Sequence, residues 1–388
     1  MTYKYIITKF KYNNSEKLFE FLLDEKNHPI EIFASLSDSQ NPGDVYIARV
    51  EKINESSIFV NTGKGDVFLG DDKHIIYTKK NSLKEALHPG DEILIQIRTA
   101  ALKTKLPYAS SKIEFLSLHF VLKTGEKGLH FSSKLSDEFK DKLKPELISL
   151  LDDGFSLIVR SNAKEISSKE AILEVSELIR KKDDLLNKAR HMSLFSCLMK
   201  ARPHYLERLL HVNEEITEII TDDEEIYSEL NNYKDDLKAK ISYYNDSYPL
   251  SKLYSFTSLL DRAVNEYVYM RSGSNLCIQT TEALTVIDVN TAEKKQKGDR
   301  EEFFLETNIE AAIESARQIR LRNLSGIIII DFINLDKEKD VKKLISVLKT
   351  ELKKDSLKSV FNDVTALGLF EISREKKYPP LKELLTRQ

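Results

Sequence analysis

Two stretches decide the fold of this chain of 388 residues: ALTVIDVNTAE at 283–293 and GIIIIDFINLD at 326–336. The first carries Asp288 and the second carries Asp331. Short apolar runs of this kind are typical of strands buried in a parallel sheet, and the segment between them is long enough for a crossover helix. Parallel neighbours end at the same edge of a sheet, where open α/β sheets bind their ligands. The sequence therefore predicts that the two carboxylates lie together.

Two carboxylates at a sheet edge have two interpretations. Mg²⁺ typically takes one or two carboxylates together with waters and substrate phosphates, so Asp288 and Asp331 are candidate metal ligands. An Asp-x-Asn sequence after a strand also commonly forms an Asx turn or caps a helix without any ligand. The local chemistry leaves both alternatives open.

The composition is that of a globular protein with more than one domain: 41% of the residues are hydrophobic and 31% are charged. A net charge of −3 predicts no overall attraction for nucleic acid, so a nucleic-acid surface would have to be a local basic patch. The N-terminal sequence has no signal-peptide core, and no run approaches the roughly 18 apolar residues of a membrane helix, so we expect a cytoplasmic protein. Cys197 and Cys277 are far apart and offer neither a disulfide framework nor zinc spacing.

Further motifs accompany the two acids: GD, TNxEAA and RQxRLRxLxG lie between them, and GLFEISR follows later in the chain. With these motifs and the two acids, the segment 280–336 resembles the catalytic core of the RNase E/RNase G family. It implies a Mg²⁺-dependent endoribonuclease that cleaves single-stranded RNA, such as rRNA precursors or mRNA, to 5′-phosphate and 3′-hydroxyl products in RNA maturation or decay. Asp288 and Asp331 would hold Mg²⁺, and Asn290 would orient the scissile phosphate or the attacking water.

The same resemblance implies an α/β fold of several subdomains. An RNase H-like subdomain in two parts would enclose an S1-type OB-fold barrel and a 5′-sensor-like subdomain, and a DNase I-like α/β catalytic subdomain would follow. The expected boundaries are 1–39 and 186–263 for the RNase H-like parts, 40–118 for the barrel, 119–185 for the sensor and 264–388 for the catalytic subdomain.

Gly-punctuated strand-like runs, including PGDEILIQIRT and KIEFLSLHFVL, predict the small β-barrel independently. Phe59 and Phe68 match aromatic positions that stack on RNA bases in the family, and Lys105 matches its loop lysine, although Leu106 replaces the Gly that commonly follows. Stacking contributes ~1–3 kcal/mol per base whatever the sequence. The alternative is that both Phe side chains belong to the barrel core.

A predicted strand ends at Arg160 and Ser161, where the family has an Arg followed by Thr that binds the RNA 5′-monophosphate. The guanidinium fork suits phosphate, and Ser retains the hydroxyl. The alternative is a solvated Arg at a strand end and a Ser that forms a turn. Ser167 and Glu170 have the spacing of a capping box that opens a helix.

The crossover helix is predicted to open at Asp299, with Glu302 three residues on. Its apolar face would consist of Leu305, Ile309, Ala312, Ala316 and Ile319. Three arginines fall near its C-terminus, where the helix dipole favours cations, and an RNA role for them stays open: Arg317, Arg320 and Arg322.

The family's CPxC zinc-link motif does not follow the SR of SREKKYPPLKELLTRQ, and the resemblance is therefore to a compact, RNase G-like type. We expect no zinc, and a homodimer without a zinc link stays open. Two hypotheses compete with the endoribonuclease. The first is a non-catalytic S1-domain RNA-binding protein with a vestigial metal site, and the second is a DNA nuclease. Retention of Asp288, Asn290 and Asp331 favours the enzyme.

Overall fold

A computed structural model of the protein describes residues 2–35, 40–55, 57–70, 74–79, 86–101, 105–125, 127–210, 215–291 and 300–386. The chain divides into two compact units. Unit 1 comprises Met1–Ser37 and His204–Gln388, and unit 2 comprises Asp38–Pro203. Unit 2 is thus inserted into the sequence of unit 1.

The helices and strands follow one another in three blocks. Unit 1 opens with β1 (Thr2–Tyr12), β2 (Ser15–Leu23) and β3 (Pro29–Ala34). Unit 2 contains β4 (Val45–Asn54), β5 (Ser57–Asn61), β6 (Asp66–Leu69), β7 (Glu92–Thr99), β8 (Tyr108–Ser110), β9 (Glu114–Leu116), β10 (Phe120–Thr124), β11 (Gly128–Phe131), α1 (Asp137–Leu150), β12 (Phe155–Val159), a 3₁₀ turn (Ser161–Glu165), α2 (Ser168–Ala189) and β13 (Cys197–Met199). Unit 1 continues with α3 (His204–Leu210), β14 (Glu215–Thr221), α4 (Glu224–Asn231), α5 (Lys234–Leu237), β15 (Lys240–Tyr243), α6 (Leu250–Leu253), α7 (Phe256–Ala263), β16 (Tyr267–Tyr269), β17 (Asn275–Thr280), β18 (Leu284–Asn290), α8 (Arg300–Leu321), β19 (Gly326–Asp331), α9 (Glu338–Leu352), β20 (Ser359–Val364), β21 (Phe370–Arg374) and α10 (Leu381–Thr386).

Five strands of unit 2 close into a barrel. They pair in the order β4–β5–β6–β8–β7, and β7 returns to pair with β4. Buried β-branched side chains such as Val50, Val60, Val67 and Ile95 fill its interior, which is the usual filling of a small barrel. The predicted small barrel is confirmed as a closed OB-like barrel in a mixed α/β protein.

A second sheet in unit 2 has the strand order β11–β12–β10–β9 and packs against α1 and α2. Its core also contains Val45 and Ile47 of β4, so that strand is buried on both faces. The prediction that the run KIEFLSLHFVL belongs to the barrel is wrong: it forms β9 and most of β10, which pair with each other in this second sheet. The turn between them is closed by the Ser117 N–H, which donates to the Phe120 carbonyl at 3.0 Å, and at the other end of the hairpin the Thr124 hydroxyl accepts a hydrogen bond from the Ile113 N–H at 2.8 Å. The capping box of Ser167 and Glu170 at the start of α2 is confirmed.

The first sheet of unit 1 has the order β15–β14–β1–β2–β3, with β1 antiparallel to β2 and parallel to β14. Apolar side chains cover both of its faces. One buried acid lies among them, because Glu20 is 2% exposed. The Tyr5 hydroxyl donates to its carboxylate at 2.5 Å, and the His204 Nδ1 lies 2.7 Å from the same oxygen. These contacts from β1 and α3 satisfy the buried carboxyl group.

The second sheet of unit 1 has the order β16–β17–β18–β19–β21–β20. Its strands are antiparallel except for the pair β18 and β19, which is parallel as predicted. Helices α8 and α9 cover one face, where Ile287, Ile328 and Ile330 are buried. The other face is open, and Ile327 is 54% exposed there. The expectation that these apolar runs are buried was therefore right for one face only.

The apolar face predicted for the crossover helix is largely confirmed in α8. Leu305, Ala312, Ala316 and Ile319 are buried, and Ile309 is half-buried. The predicted opening at Asp299 lies outside the described residues. No helix in the described part of the chain is long and apolar enough to cross a membrane.

Candidate active site

Asp288 and Asp331 come together at the ends of the only parallel strand pair of their sheet among the described residues. The register pairs their Cα atoms directly across β18 and β19, and neighbouring strands lie about 4.8 Å apart. Their neighbours Ile287 and Ile330 are buried beneath the sheet, so both acids project from the open face. The predicted juxtaposition of the two acids is present in the fold.

Asn290 lies two residues beyond Asp288 and therefore on the same face. Its Nδ2 donates a hydrogen bond to Oδ2 of Asp288 at 2.9 Å. Asn290 and Asp331 are exposed, whereas Asp288 is half-buried. The hydrogen bond fixes the Asp288 carboxylate and leaves the Asn290 carbonyl oxygen directed away from it.

The donor set fits Mg²⁺, which prefers oxygen ligands and needs only one or two carboxylates from the protein. The opposite strand adds a further polar atom, because the buried amide oxygen of Asn275, the Cα partner of Asn290, has no hydrogen-bond partner among the described residues. Within those residues, no group of three or more His, Cys, Asp or Glu side chains could hold a metal. An ion here would complete its coordination with waters and a substrate phosphate.

Asn308 of α8 braces the segment that carries Asp331. Its side chain is fully buried, its Nδ2 donates to the Ile333 carbonyl at 2.7 Å, and its Oδ1 accepts from the Ile333 N–H at 3.0 Å. Both backbone groups of Ile333, two residues after Asp331, are thus bonded to one side chain. Asn308 is a positioning residue for the candidate site, and the sequence interpretation gave it no role.

Other residues of the TNxEAA motif also make contacts that hold the sheet and its turns in place. The Glu310 carboxylate accepts hydrogen bonds from the backbone N–H groups of Arg271 at 2.8 Å and Ser272 at 3.3 Å, which fixes the turn between β16 and β17. Ala311 and Ala312 are fully buried where the helix meets the sheet. The motif therefore holds the strands that surround the acids.

The three arginines near the end of α8 make contacts within the protein. Arg317 pairs with Glu314 at 2.6 Å, Arg320 donates to the Glu351 carbonyl at 2.9 Å and Arg322 donates to Gln318 at 2.6 Å. Arg320 and Arg322 are each only 7% exposed, and burial lowers the pKa of the Arg322 guanidinium to about 10. These contacts give each of the three arginines a partner within the protein.

GLFEISR ends in a buried ion pair. Arg374 donates to both carboxylate oxygens of Asp355, at 2.7 and 3.1 Å, and to the Leu324 carbonyl at 3.0 Å. The side chains of Arg374 and Asp355 are 3% and 1% exposed. Nearby, Gly326 has φ +86°, a backbone conformation that L side chains rarely adopt. Both features fix the start of β19 and hence the register of Asp331.

Phe59 and Phe68 lie side by side on the outer surface of the barrel. They are Cα partners on β5 and β6, their ring centroids are 5.8 Å apart, and both are half-buried. Their chain neighbours Val60, Val67 and Leu69 fill the barrel interior instead. The two rings are therefore accessible from solvent, whereas a core position would have buried them.

Lys105 is exposed in the segment that leads into β8. Two residues later, the Pro107 carbonyl accepts a hydrogen bond from the Phe68 N–H at 2.9 Å. This contact ties the lysine-bearing segment to the strand of Phe68.

Arg160 and Ser161 follow β12 directly and open the 3₁₀ turn. Both are half-buried. The Arg160 N–H donates to the His119 carbonyl at 2.9 Å, and the Asn162 side chain donates to the Leu118 carbonyl at 3.0 Å. The turn is thus tied to the connection between β9 and β10, which gives the two residues a fixed backbone.

A cleft of about 970 Å³ in unit 1 is lined by residues of the β2–β3 turn, α7, β16 and α8. Asp288, Asn290 and Asp331 are absent from its lining. The candidate site is therefore separate from this cleft.

The architecture is that of a mixed α/β protein with a closed OB-like barrel. A model of the Ribonuclease E/G family matches residues 115–377, and the chain belongs to that family. Ribonuclease E of Synechocystis sp. is 28% identical over 363 residues, which cover 89% of this chain and 54% of that protein. Over 317 residues, ribonuclease E and ribonuclease G of Escherichia coli K12 are 29% and 27% identical, covering 78% and 79% of this chain and 29% and 64% of those proteins. The chain spans about half the length of the Synechocystis protein it matches.

Proposed function

We propose that this chain is an endoribonuclease that cleaves single-stranded RNA in RNA processing or decay, leaving 5′-phosphate and 3′-hydroxyl ends. The observation that carries the proposal is the direct pairing of Asp288 and Asp331 on the open sheet face, with Asn290 bonded to Asp288. The matched relatives are named ribonuclease E and ribonuclease G. Water is the nucleophile in this proposal, so the RNA 2′-hydroxyl has no part in it.

Asp288 and Asp331 are proposed to hold Mg²⁺. When bound, Mg²⁺ offsets the charge that develops on phosphate oxygens and lowers the pKa of water enough to supply hydroxide near neutral pH. Asn290 does not ionise, so its task is to orient the scissile phosphate or the attacking water through its amide. Zinc is not expected, and elemental analysis of the purified chain tests this. We also propose a homodimer without a zinc link, and sedimentation analysis of the purified chain tests this.

The barrel is proposed to bind RNA through stacking on Phe59 and Phe68, with Lys105 near the phosphates. Arg160 and Ser161 are proposed to bind a 5′-monophosphate. We further propose that the two stretches of chain that form the five-stranded sheet make up an RNase H-like subdomain. Residues 264–388 would form a DNase I-like catalytic subdomain. The strand order of the five-stranded sheet, two antiparallel pairs followed by two parallel ones, supports the first of these assignments.

The deciding experiment incubates the purified chain with a 5′-monophosphorylated single-stranded RNA, with and without Mg²⁺. Cleavage that requires Mg²⁺ and leaves 5′-phosphate ends supports the proposal. Retention of the RNA without any cleavage supports the second candidate, a non-catalytic S1-domain binding protein with a vestigial metal site. Equal cleavage of single-stranded DNA would favour a DNA nuclease.

A further inference from the structure

The two barrel phenylalanines belong to a longer row of side chains. Tyr108 on β8 is the Cα partner of Phe68, which is itself the partner of Phe59. Lys52 on β4 is the Cα partner of Phe59 on its other side. The aromatic strip, defined as Lys52, Phe59, Phe68 and Tyr108, therefore crosses four adjacent strands of the barrel.

Tyr108 projects outward from the barrel. It is 41% exposed, whereas the next residue, Ala109, is fully buried in the barrel core. Its ring lies over Gly70, where any side chain would meet the phenol oxygen. A large aromatic side chain that is exposed on the surface and lies outside the core is suited to contact a ligand.

The geometry of the rings suits unpaired bases. The centroids of Phe68 and Tyr108 are 5.9 Å apart with a tilt of 34° between the rings. Successive bases in a duplex strand rise only about 3.4 Å. Bases seated on these two rings would therefore be separated from each other, as in an extended single strand.

The charges along the strip are those that a nucleic-acid backbone requires. Lys52 is exposed at one end, and Lys105 is exposed three residues before Tyr108 at the other. Because the whole chain carries a net charge of −3, such a local pair of cations matters more than the overall charge.

We propose that Tyr108 is a third base-stacking residue of the barrel and that the strip seats an extended single-stranded RNA between Lys52 and Lys105. The inference rests on the proposed RNA-binding function of Phe59 and Phe68. It adds one stacked base, on Tyr108, and one phosphate contact, with Lys52. Sequence alone misses Tyr108, since only the parallel pairing of β6 with β8 brings it beside Phe68.

The test measures binding of a fluorescent 5′-hydroxyl oligonucleotide to the full chain in EDTA. Tyr108→Ala should weaken binding roughly 5- to 150-fold, the equivalent of ~1–3 kcal/mol per stacked base. Tyr108→Phe retains the ring and should stay within about twofold. Tyr248→Ala is the matched control, because Tyr248 is a 54% exposed tyrosine outside the barrel. Lys52→Ala removes one phosphate contact, so the slope of the logarithm of the binding constant against the logarithm of the salt concentration should fall by about one.

A second measurement does not depend on the loss of a side chain. The chain contains no Trp, so Tyr108→Trp introduces a single reporter whose emission should change when RNA stacks on it. Unchanged emission under conditions where RNA is bound would overturn the inference. Weakened binding in Phe68→Ala but not in Tyr108→Ala would overturn the role of Tyr108 and leave the proposed RNA binding by the barrel intact. Unchanged affinity in both variants would overturn the RNA-binding role of the barrel as well.

Discussion

Asp288 and Asp331 provide the first test at the scale of single residues. Asn at either position keeps the shape of the side chain and removes a negative charge from the candidate metal site. Because a metal ion contributes several kcal/mol to the transition state, we expect Asp288→Asn or Asp331→Asn to slow cleavage by at least roughly a hundredfold. RNA affinity in EDTA should be unchanged. Cleavage of end-labelled RNA, resolved on gels, gives the rates.

The matched control for these variants is Asp363→Asn, which alters an exposed acid on the edge strand β20 of the same sheet. It should cleave at the wild-type rate. A near wild-type rate in either of the other two variants would rule out the two-carboxylate site.

Phe59 and Phe68 allow a distinction between ligand binding and folding. The double variant Phe59→Ala with Phe68→Ala should weaken RNA binding by ~1–3 kcal/mol for each lost stack. Because neither ring belongs to the buried barrel core, the thermal unfolding midpoint should move little. Binding curves and circular dichroism melts, measured side by side, check both statements. Unfolding of the double variant would support a core role instead.

Arg160 carries the proposed recognition of the 5′ end. RNA with a 5′-monophosphate should be cut faster than the same RNA with a 5′-hydroxyl, since a docked end raises the effective concentration of the downstream site. A charge-assisted hydrogen bond contributes about 1.5–3 kcal/mol, so Arg160→Ala should remove roughly tenfold or more of that preference. Cleavage of 5′-hydroxyl RNA should stay constant in the variant. Equal wild-type rates on the two RNAs would mean that the 5′ end is not sensed.

At the scale of elements, Asn308 connects helix α8 to the segment that follows Asp331. Asn308→Ala removes both hydrogen bonds to the half-buried Ile333, and each such bond contributes about 0.5–1.5 kcal/mol. We expect a lower unfolding midpoint and a reduced cleavage rate with an unchanged Mg²⁺ requirement. Asn308→Asp places a carboxyl in the same fully buried position and against the Ile333 carbonyl oxygen, so it should lower the unfolding midpoint at least as much. A cleavage rate unaffected by Asn308→Ala would remove its positioning role.

The elements that the sequence predicts well are those set by local pattern. The apolar periodicity of α8 and the apolar runs of β18 and β19 are each visible in consecutive residues. The parallel pairing of β18 with β19 follows from the crossover helix that connects these two strands. The bracing contacts are not predictable in this way. Asn308 meets Ile333 across 25 residues and Glu310 meets Arg271 across 39, and a motif letter alone does not identify such a partner.

The same limit explains the errors in the barrel region. Strand β9 has an apolar pattern that fits either sheet, and in the fold it forms a hairpin with β10. Tyr108 lies about 40 residues from Phe68 in sequence and reaches it only through the closure of the barrel. Long-range closure selects among locally equivalent strands, so the presence of the barrel was predictable and its exact membership was not.

At the scale of the whole molecule, unit 1 depends on the buried pair Asp355 and Arg374. Burial raises the pKa of the Asp355 carboxyl, but the Arg374 guanidinium and hydrogen bonds from Arg374, Ser359 and Leu357 outweigh burial and hold that pKa below its usual value. A carboxyl whose pKa is lower in the folded state stabilises the fold above its unfolded pKa of about 3.9, and this stabilisation is lost as the pH falls through the folded pKa. Part of the acid denaturation of unit 1 should therefore come from this pair.

Arg374→Met tests the pair, because it leaves the buried Asp355 carboxylate without its cationic partner. Breaking a buried pair on one side typically costs about 3–5 kcal/mol, so we expect a loss of this size in urea unfolding at neutral pH. The deficit should shrink below about pH 4, where the wild-type pair is itself weakened by protonation. Glu338→Gln is the control, since its ion pair with Lys342 is exposed at 83% and 71% and such pairs contribute little. A pH-independent deficit would mean that Arg374 stabilises unit 1 through packing and its bond to the Leu324 carbonyl rather than through the charge of Asp355.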